Sequence, residues 1–403
     1  SIGPRVNLDQ ERCVLCGRYV RFMRDIMHDE VLTMSQRGTF NAITVYPGRE
    51  LDSNYSMNTV DLCPVGALTS KDFRFKMRVW FLKETKTIDV DCGTGTNITL
   101  WTREDKVYRI TPRQNDAVNS CWMPDSHRLN YKYINAETRI PQPVIRTDAE
   151  APHRPSTWEP ALASAAEAVK RIAPNQLAII ASGRMTNEEL YMVRHLAAQI
   201  GTDMVDIVPR MGESDGMLIS ADRNPNTNGA RLVLDIEPGS RLDAIREGVR
   251  SGSIKGVLSL GGGLISPAAG FTAEDLDKLD YLFMTAHSAN ETARHADLVL
   301  PGVTYAEKFG TMINVTGRIQ RLNRAIQPIG YAREDWQIFR DITLLLGGNP
   351  ALKDFNSALD ILTAMSTEYG ALNGVSWGSI GDGGQPILET GVTIPVVERD
   401  KNQ

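Results

Sequence analysis

Three cysteines carry the clearest chemistry in this chain: Cys13 and Cys16, close together in ERCVLCGRYV, and the distant Cys63, followed at once by Pro64. A thiolate cage for a four-iron cluster draws on cysteines spaced in this way along one tight loop, closed by a remote cysteine next to proline. The proline locks its own φ and holds the residue before it extended, which fixes the aim of that sulfur. The next turn of the repeat would put a sulfur at position 19, and Tyr19 stands there. A phenol with a pKa of about 10 is a harder and bulkier donor than a thiolate of about 8.5. Four outcomes are open: a cluster with one unusually ligated iron, a three-iron cluster, another metal such as zinc, or no metal. Asp9, Asp25, Asp61 or solvent are further donors for an iron. Against all of these stands plain burial of small, soft side chains.

The elements that must position these residues belong to an ordinary globular chain. Its 403 residues are 42% hydrophobic and 23% charged, enough for two or three cored domains. The net charge is −5 and no long basic run follows a phosphate backbone, so nucleic acid is not an expected partner. No stretch approaches the roughly 20 apolar residues of a membrane span, so membrane association must come through a partner. SIGPRVNLDQ has neither part of a secretory signal, and a chain that opens on serine this close to a cysteine motif reads as the remainder of a longer polypeptide. Five cysteines, at 13, 16, 63, 92 and 121, are odd in number and uneven in spacing, which disfavours a disulfide framework.

Texture divides the chain into four parts. Residues 1–85 are loop-rich and hold the three motif cysteines, the basic stretch Arg18, Arg21 and Arg24, and the run FRFKMRVWFL. Residues 86–150 alternate apolar and polar side chains in TNITLW and KVYRIT around Glu104-Asp105, which predicts a short antiparallel sheet. The proline-dense IPQPVIRTDAEAPHRPSTW reads as an extended crossing. Residues 151–350 alternate amphipathic helices (EPALASAAEAVKRIA, NEELYMVRHLAAQIG, SRLDAIREGVRSG) with apolar strands (QLAIIAS, KGVLSLGGG, DYLFMTA). This pattern predicts an α/β domain whose mainly parallel sheet is covered on both faces. Residues 351–403, with one helix at FNSALDILTAMSTEY, read as a peripheral tail.

RCVLCGRYVRFMRDI followed by NTVDLCPVGALTSKDFRFKMRVW closely resembles the large iron–sulfur subunit of NADH:quinone oxidoreductase, respiratory complex I. The likeness continues through VYRITPRQNDAVNSCWMPDSHRLNY and ARHADLVLPGVTYAEKFGTMINVTGRIQRLNRAI, over roughly residues 5 to 350. It implies that Cys13, Cys16 and Cys63 are ligands of a 4Fe-4S cluster, or of a 3Fe-4S cluster because Tyr19 replaces a ligand. It also implies single-electron transfer from flavin towards quinone, with flavin-bearing and quinone-facing subunits as partners. The expected location is peripheral, on the cytoplasmic side of the inner membrane. The family's amino-terminal two-iron domain has no counterpart in this chain. A second cluster carried by some members would fall on Asp89, Cys92, Thr96 and Pro124, where one sulfur survives, so that cluster is expected to be lost. Cys121 lies outside the pattern and is expected in the core. The rival class is a cluster-free structural subunit of the same kind of complex.

The α/β part resembles the molybdopterin oxidoreductase superfamily through ADLVLPG, AEKFGT and NVTGRIQ. With no cysteine after position 121 and a short α/β region, a molybdenum cofactor is not expected. Gly261, Gly262 and Gly263 could cradle a phosphate, but they lack the full dinucleotide fingerprint and read as a tight turn leaving the sheet. His287 and His295 read as polar or capping residues, and Glu307, Lys308 and Arg318 as a structural ion-pair region. Arg18, Arg21 and Arg24 either offset a cluster's charge or form a solvated face.

Overall fold

The computed structural model describes residues 1–36, 38, 40–146 and 151–400, with the backbone of Lys401. Residues 147–150 of the expected crossing lie outside the described residues.

The α/β part is built on a seven-stranded mixed sheet. Its order is Val205–Ile207, Leu177–Ala181, Gly256–Leu260, Tyr281–Ala286, Leu298–Pro301, Val144–Ile145 and Arg154–Pro155. The first five strands run parallel and the last two add antiparallel at the edge. The two edge strands flank residues 147–150, so the proline-dense crossing joins the sheet. Successive residues of a fully buried strand must face opposite layers. Accordingly Leu177, Ile179 and Ala181 enter one core, with Leu258, Phe283 and Trp336, while Ala178 and Ile180 enter the other, with Val257, Met284 and Val299. The apolar segment ARLVLDI falls largely in a helix, Thr227–Leu234.

The expected antiparallel sheet forms from Lys83–Ile88, Asn97–Arg103 and Lys106–Pro112. Glu104 and Asp105 both take positive φ (51° and 54°), the twist a two-residue hairpin turn demands. The amino-terminal part is loop-rich, with two-stranded ribbons Val6–Leu8 with Leu68–Ser70 and Leu32–Ser35 with Ala42–Val45. It also holds a short helix α1 (Arg18–Arg21), continued by a π-helical turn over Phe22–Ile26, and α2 (Asn58–Leu62). A further short helix, α3 (Asp125–Arg128), follows the antiparallel sheet.

The carboxy-terminal segment is not a peripheral tail. Its helix Ala358–Glu368 places Ile361, Leu362 and Met365 in the α/β core, because that apolar face meets Leu196 and Phe339 rather than water. Ile394, Val396 and Val397 then cross to the core of the amino-terminal part and pack with Tyr19 and Phe22.

Candidate functional site

The Cys13–Cys16 loop is shaped by its backbone. Cys13 closes a 3-10 turn by donating its amide to the Gln10 carbonyl (3.0 Å), and Leu15 and Gly17 both take left-handed φ (55° and 68°). Gly17 is the N-cap of α1, and glycine takes that conformation without strain. The helix then buries one stripe, Tyr19, Phe22 and Met23, and leaves Arg18, Arg21 and Arg24 exposed. Arg24 is held by its neighbour Asp25 at 2.7 Å. The three arginines therefore form a solvated face.

Tyr19 is 1% exposed and its hydroxyl lies 3.2 Å from the Cys13 sulfur. Cys13, Cys63 and Cys16 all act electrostatically on this phenol. The Cys13 loop and the remote Cys63 pack into the same core as Tyr19. Burial first, then the Cys13 contact, drives the phenol well above its ordinary range, so it stays protonated. Two backbone amides already serve the sulfurs: Leu15 donates to Cys13 and Leu68 to Cys63, each at 3.4 Å. Such donors stabilise thiolates and the reduced form of a cluster. The three cysteines are each partly exposed, and Val14 between them is 61% exposed.

The other acids considered as donors are engaged elsewhere. Asp9 pairs with Arg12 (3.3 Å), Asp25 with Arg24, and Asp61 accepts from Arg128 at 2.5 and 2.8 Å. That last pair anchors the helix that leads to Cys63. α2 is fixed to α3 by Ser56 Oγ and the Met57 amide, which donate to the buried Asp125 carboxylate at 2.6 and 3.0 Å. The Asn58 side chain exchanges hydrogen bonds with the backbone of Met123. Cys63 therefore owes its position to residues of the following module.

That module contains the second position. Among the described residues, one set of three His, Cys, Asp or Glu side chains brings a ligand atom of each within 4.8 Å of the others: Asp89, Cys92 and His127, all buried. His127 Nδ1 lies 2.6 Å from Asp89 Oδ2. Burial lowers the His127 pKa, but Asp89 and Asp91 outweigh it and the net shift is upward. Burial pushes the Cys92 thiol up to about 11. Thr96 is buried across the same loop, and Pro124 caps α3. Cys121, expected in the core, is exposed instead. The tight turn Asn115–Ser120, with Ser120 at φ 51°, throws Cys121 outward and directs Trp122 inward against Phe22 (4.7 Å between rings).

Three family models match along the chain, in order. The NADH-quinone oxidoreductase subunit 3 ferredoxin-like domain matches residues 3–69, the NADH-ubiquinone oxidoreductase NDSU1/NuoG-like 4Fe-4S domain residues 82–132, and molybdopterin oxidoreductase residues 221–343. Over most of its length the chain is similar to the large iron–sulfur subunits of NADH:quinone oxidoreductase. Its relatives include the mitochondrial NADH-ubiquinone oxidoreductase 78 kDa subunit of Candida albicans, 28% identical over 89% of this chain and 65% of the relative. The NADH dehydrogenase [ubiquinone] iron-sulfur protein 1 of Solanum tuberosum is 32% identical over 67% of this chain and 37% of the relative. An NADH-quinone oxidoreductase subunit of Rickettsia bellii is 34% identical over 51% and 30%. The chain thus spans less than two thirds of these relatives' length. Acetylene hydratase from Pelobacter acetylenicus shares the fold at a TM-score of 0.50 and 9% identity, over 73% of each chain.

The α/β half of the chain has its own cavity, of about 210 Å³, at the carboxyl ends of the parallel strands. It opens where the strand order reverses between Leu177–Ala181 and Gly256–Leu260, the usual ligand crevice of such sheets. Gly261, Gly262 and Gly263 line it with Arg210, His287 and Lys308. Gly261 does make a turn (φ 70°), and a Cβ there would meet Met185. The expected Glu307–Lys308–Arg318 region is three separate arrangements. Glu307 pairs with Arg139 (2.6 Å), Lys308 with Glu189 (2.7 Å), and Arg318 donates to the Gly383 and Gly384 carbonyls, because alternate directions along the chain lead to different layers. His295 is held by Asp277 at 2.8 Å, a polar role, while His287 lines the cavity. Sequence reasoning missed His127 and Arg210. His127 sits in PDSHRL with no local partner, and what signal there was lay in its place three residues after Pro124.

Proposed function

We propose that this chain is an electron-transfer subunit, or part of one, of an NADH:quinone oxidoreductase peripheral arm, holding an iron–sulfur cluster on Cys13, Cys16 and Cys63. The observation that carries the reading is that Cys13 Sγ lies against the buried Tyr19 hydroxyl while the remote Cys63 packs into the same core. A single shared ion is the poorer fit. Zinc with Zn–S bonds of about 2.3 Å needs sulfurs about 3.8 Å apart, and these three do not all lie within 4.8 Å of one another. Wider spacing suits a cluster in which each sulfur binds its own iron.

A bound cluster would supply a one-electron redox centre. The chain's own residues hold and tune it: Leu15 and Leu68 donate their amides to sulfur, and Phe22 and Trp122 pack beneath. The exposed loop at Val14 lets a donor or acceptor approach closely. With three cysteines and a tyrosine at the remaining corner, a three-iron form fits, or a four-iron form with one differently ligated iron. Partner subunits, flavin-bearing on one side and quinone-facing on the other, are supported by exposed apolar side chains at Phe75, Val79, Trp80 and Phe81. No helix among the described residues is long and apolar enough to cross a membrane. We place the protein peripherally on the cytoplasmic side of the inner membrane, through its partners. We assign no molybdenum cofactor, since the cavity at the carboxyl ends of the strands falls below the roughly 300 Å³ of small-molecule sites.

Iron and sulfide analysis of the anaerobically purified chain tests this, with electron paramagnetic resonance of oxidised and reduced samples. Three or four irons with a reducible signal are expected. Folded protein without iron would instead favour a structural subunit in which Tyr19 has closed the site.

A further inference from the structure

The module over residues 82–132 matches a 4Fe-4S domain, yet its residues do not fit such a cluster. A four-iron cage needs about four thiolates, and the positions read Asp89, Cys92, Thr96 and Pro124. We propose that Asp89, Cys92 and His127 form a mononuclear site for a zinc-like divalent ion, put together from the remains of the lost cluster by recruiting a histidine from α3.

The geometry is compact where the Cys13 site is open. One oxygen, one sulfur and one nitrogen lie within 4.8 Å of one another, and all three residues are buried. Tetrahedral coordination at about 2.0–2.3 Å places ligand atoms roughly 3.3–3.8 Å apart, so small side-chain rotations close the set on an ion. Carboxylate, thiolate and imidazole together form a borderline donor set that suits zinc. Three protein ligands leave one position for water.

The surroundings are already braced. The Asp89 amide donates to the Thr96 carbonyl at 2.8 Å, and the Asp91 amide donates to Asp89 Oδ1 at 3.3 Å. Beside Cys92, the Gly93 amide donates to the Asp222 carbonyl (2.8 Å) and the Thr94 hydroxyl to the Leu218 carbonyl (2.6 Å). His127 is fixed through its neighbours Asp125 and Arg128, which bind α2. Thr96, on the same loop, has a buried hydroxyl with no hydrogen-bond partner among the described residues. The alternative is a buried Asp89–His127 pair with Cys92 as a bystander.

Metal analysis of the full chain, stripped with a chelator and reloaded with zinc, separates the two. About one zinc per chain is expected, retained in a Cys13→Ser/Cys16→Ser/Cys63→Ser variant that cannot hold iron at the first site. Cys92→Ser and His127→Ala, checked for folding by circular dichroism, should weaken zinc by more than about tenfold. Should those variants unfold, cobalt(II) added to the unaltered protein gives the answer, since a coordinated Cys92 produces a thiolate-to-cobalt charge-transfer band. Folded protein that takes up no zinc, zinc binding unchanged in folded Cys92→Ser, or cobalt without that band would overturn the proposal. The iron at the first site is counted separately, so failure here leaves the electron-transfer reading standing, and the converse also holds.

Discussion

Two neighbouring regions of this molecule bring metal-ligating side chains together, and they do so in different ways. At the first, Cys13, Cys16 and Cys63 are each partly exposed, and Cys13 lies against the buried Tyr19 hydroxyl. At the second, one cysteine survives, fully buried, with Asp89 and His127 drawn tightly to it. The first is open and rich in sulfur, whereas the second is a compact, buried polar knot. Ligand spacing, more than ligand count, decides what each can hold, because a cluster presents several irons and a single ion only one. α3 stands between the two, with Asp125 and Arg128 turned to α2 and His127 turned to Asp89.

The largest effects should come from exchanging ligands. Cys63→Ser should remove most of the iron and leave zinc untouched, while Tyr19→Cys, by restoring a fourth thiolate, should raise iron occupancy or convert the cluster type, as read by iron analysis and paramagnetic resonance. Negligible iron in Tyr19→Cys would end the contrast between an open, cluster-ready cage and a closed knot.

Acid should act on the α/β half of the fold. Burial, with Arg139, Arg184 and Lys308 nearby, lowers the His287 pKa from 6.5 to about 4. Between those values the unfolded chain binds a proton that the folded chain refuses, so stability falls as pH drops from about 6.5 to 4. The loss is on the order of 3 kcal/mol at the lower end. His287→Gln should flatten this dependence in urea titrations, so that any remaining acid release of metal can be assigned to the sites themselves. An unchanged slope would show that His287 is not its source.

Asp61→Asn tests whether α3 positions the remote cysteine. It leaves Arg128 buried without its carboxylate and should cost about 2–3 kcal/mol. That is below the roughly 3–5 kcal/mol of a fully buried pair because Asp61 is one third exposed. Iron occupancy should fall with it in the same preparation, and full occupancy would argue that α2 holds Cys63 without α3. The smallest effect belongs to Tyr19→Phe, which removes the hydroxyl beside Cys13 at a cost of about 1 kcal/mol. Iron content should not change if the phenol is no ligand, and a clear drop would make it one.

Much of this was legible along the chain. Alternation in TNITLW and KVYRIT around Glu104-Asp105 marked a hairpin because side-chain direction in a strand is a local property. The helix–strand alternation after Trp158 marked a doubly covered sheet for the same reason. The carboxy-terminal segment misled because its helix gives no hint of which surface will receive it. Cys121 misled because one left-handed residue, Ser120, sets its direction.

By itself the sequence determined the inventory and the local geometry: which donors exist, which sit on one loop, and which residue is held extended by a proline. Covalent spacing and backbone sterics are enough for that. Only the tertiary structure decided which distant donors meet, placing Cys63 with Tyr19 and His127 with Asp89 and Cys92, and engaging Asp61 with Arg128. These encounters join residues tens of positions apart, and packing of the whole core, not any local preference, brings them together.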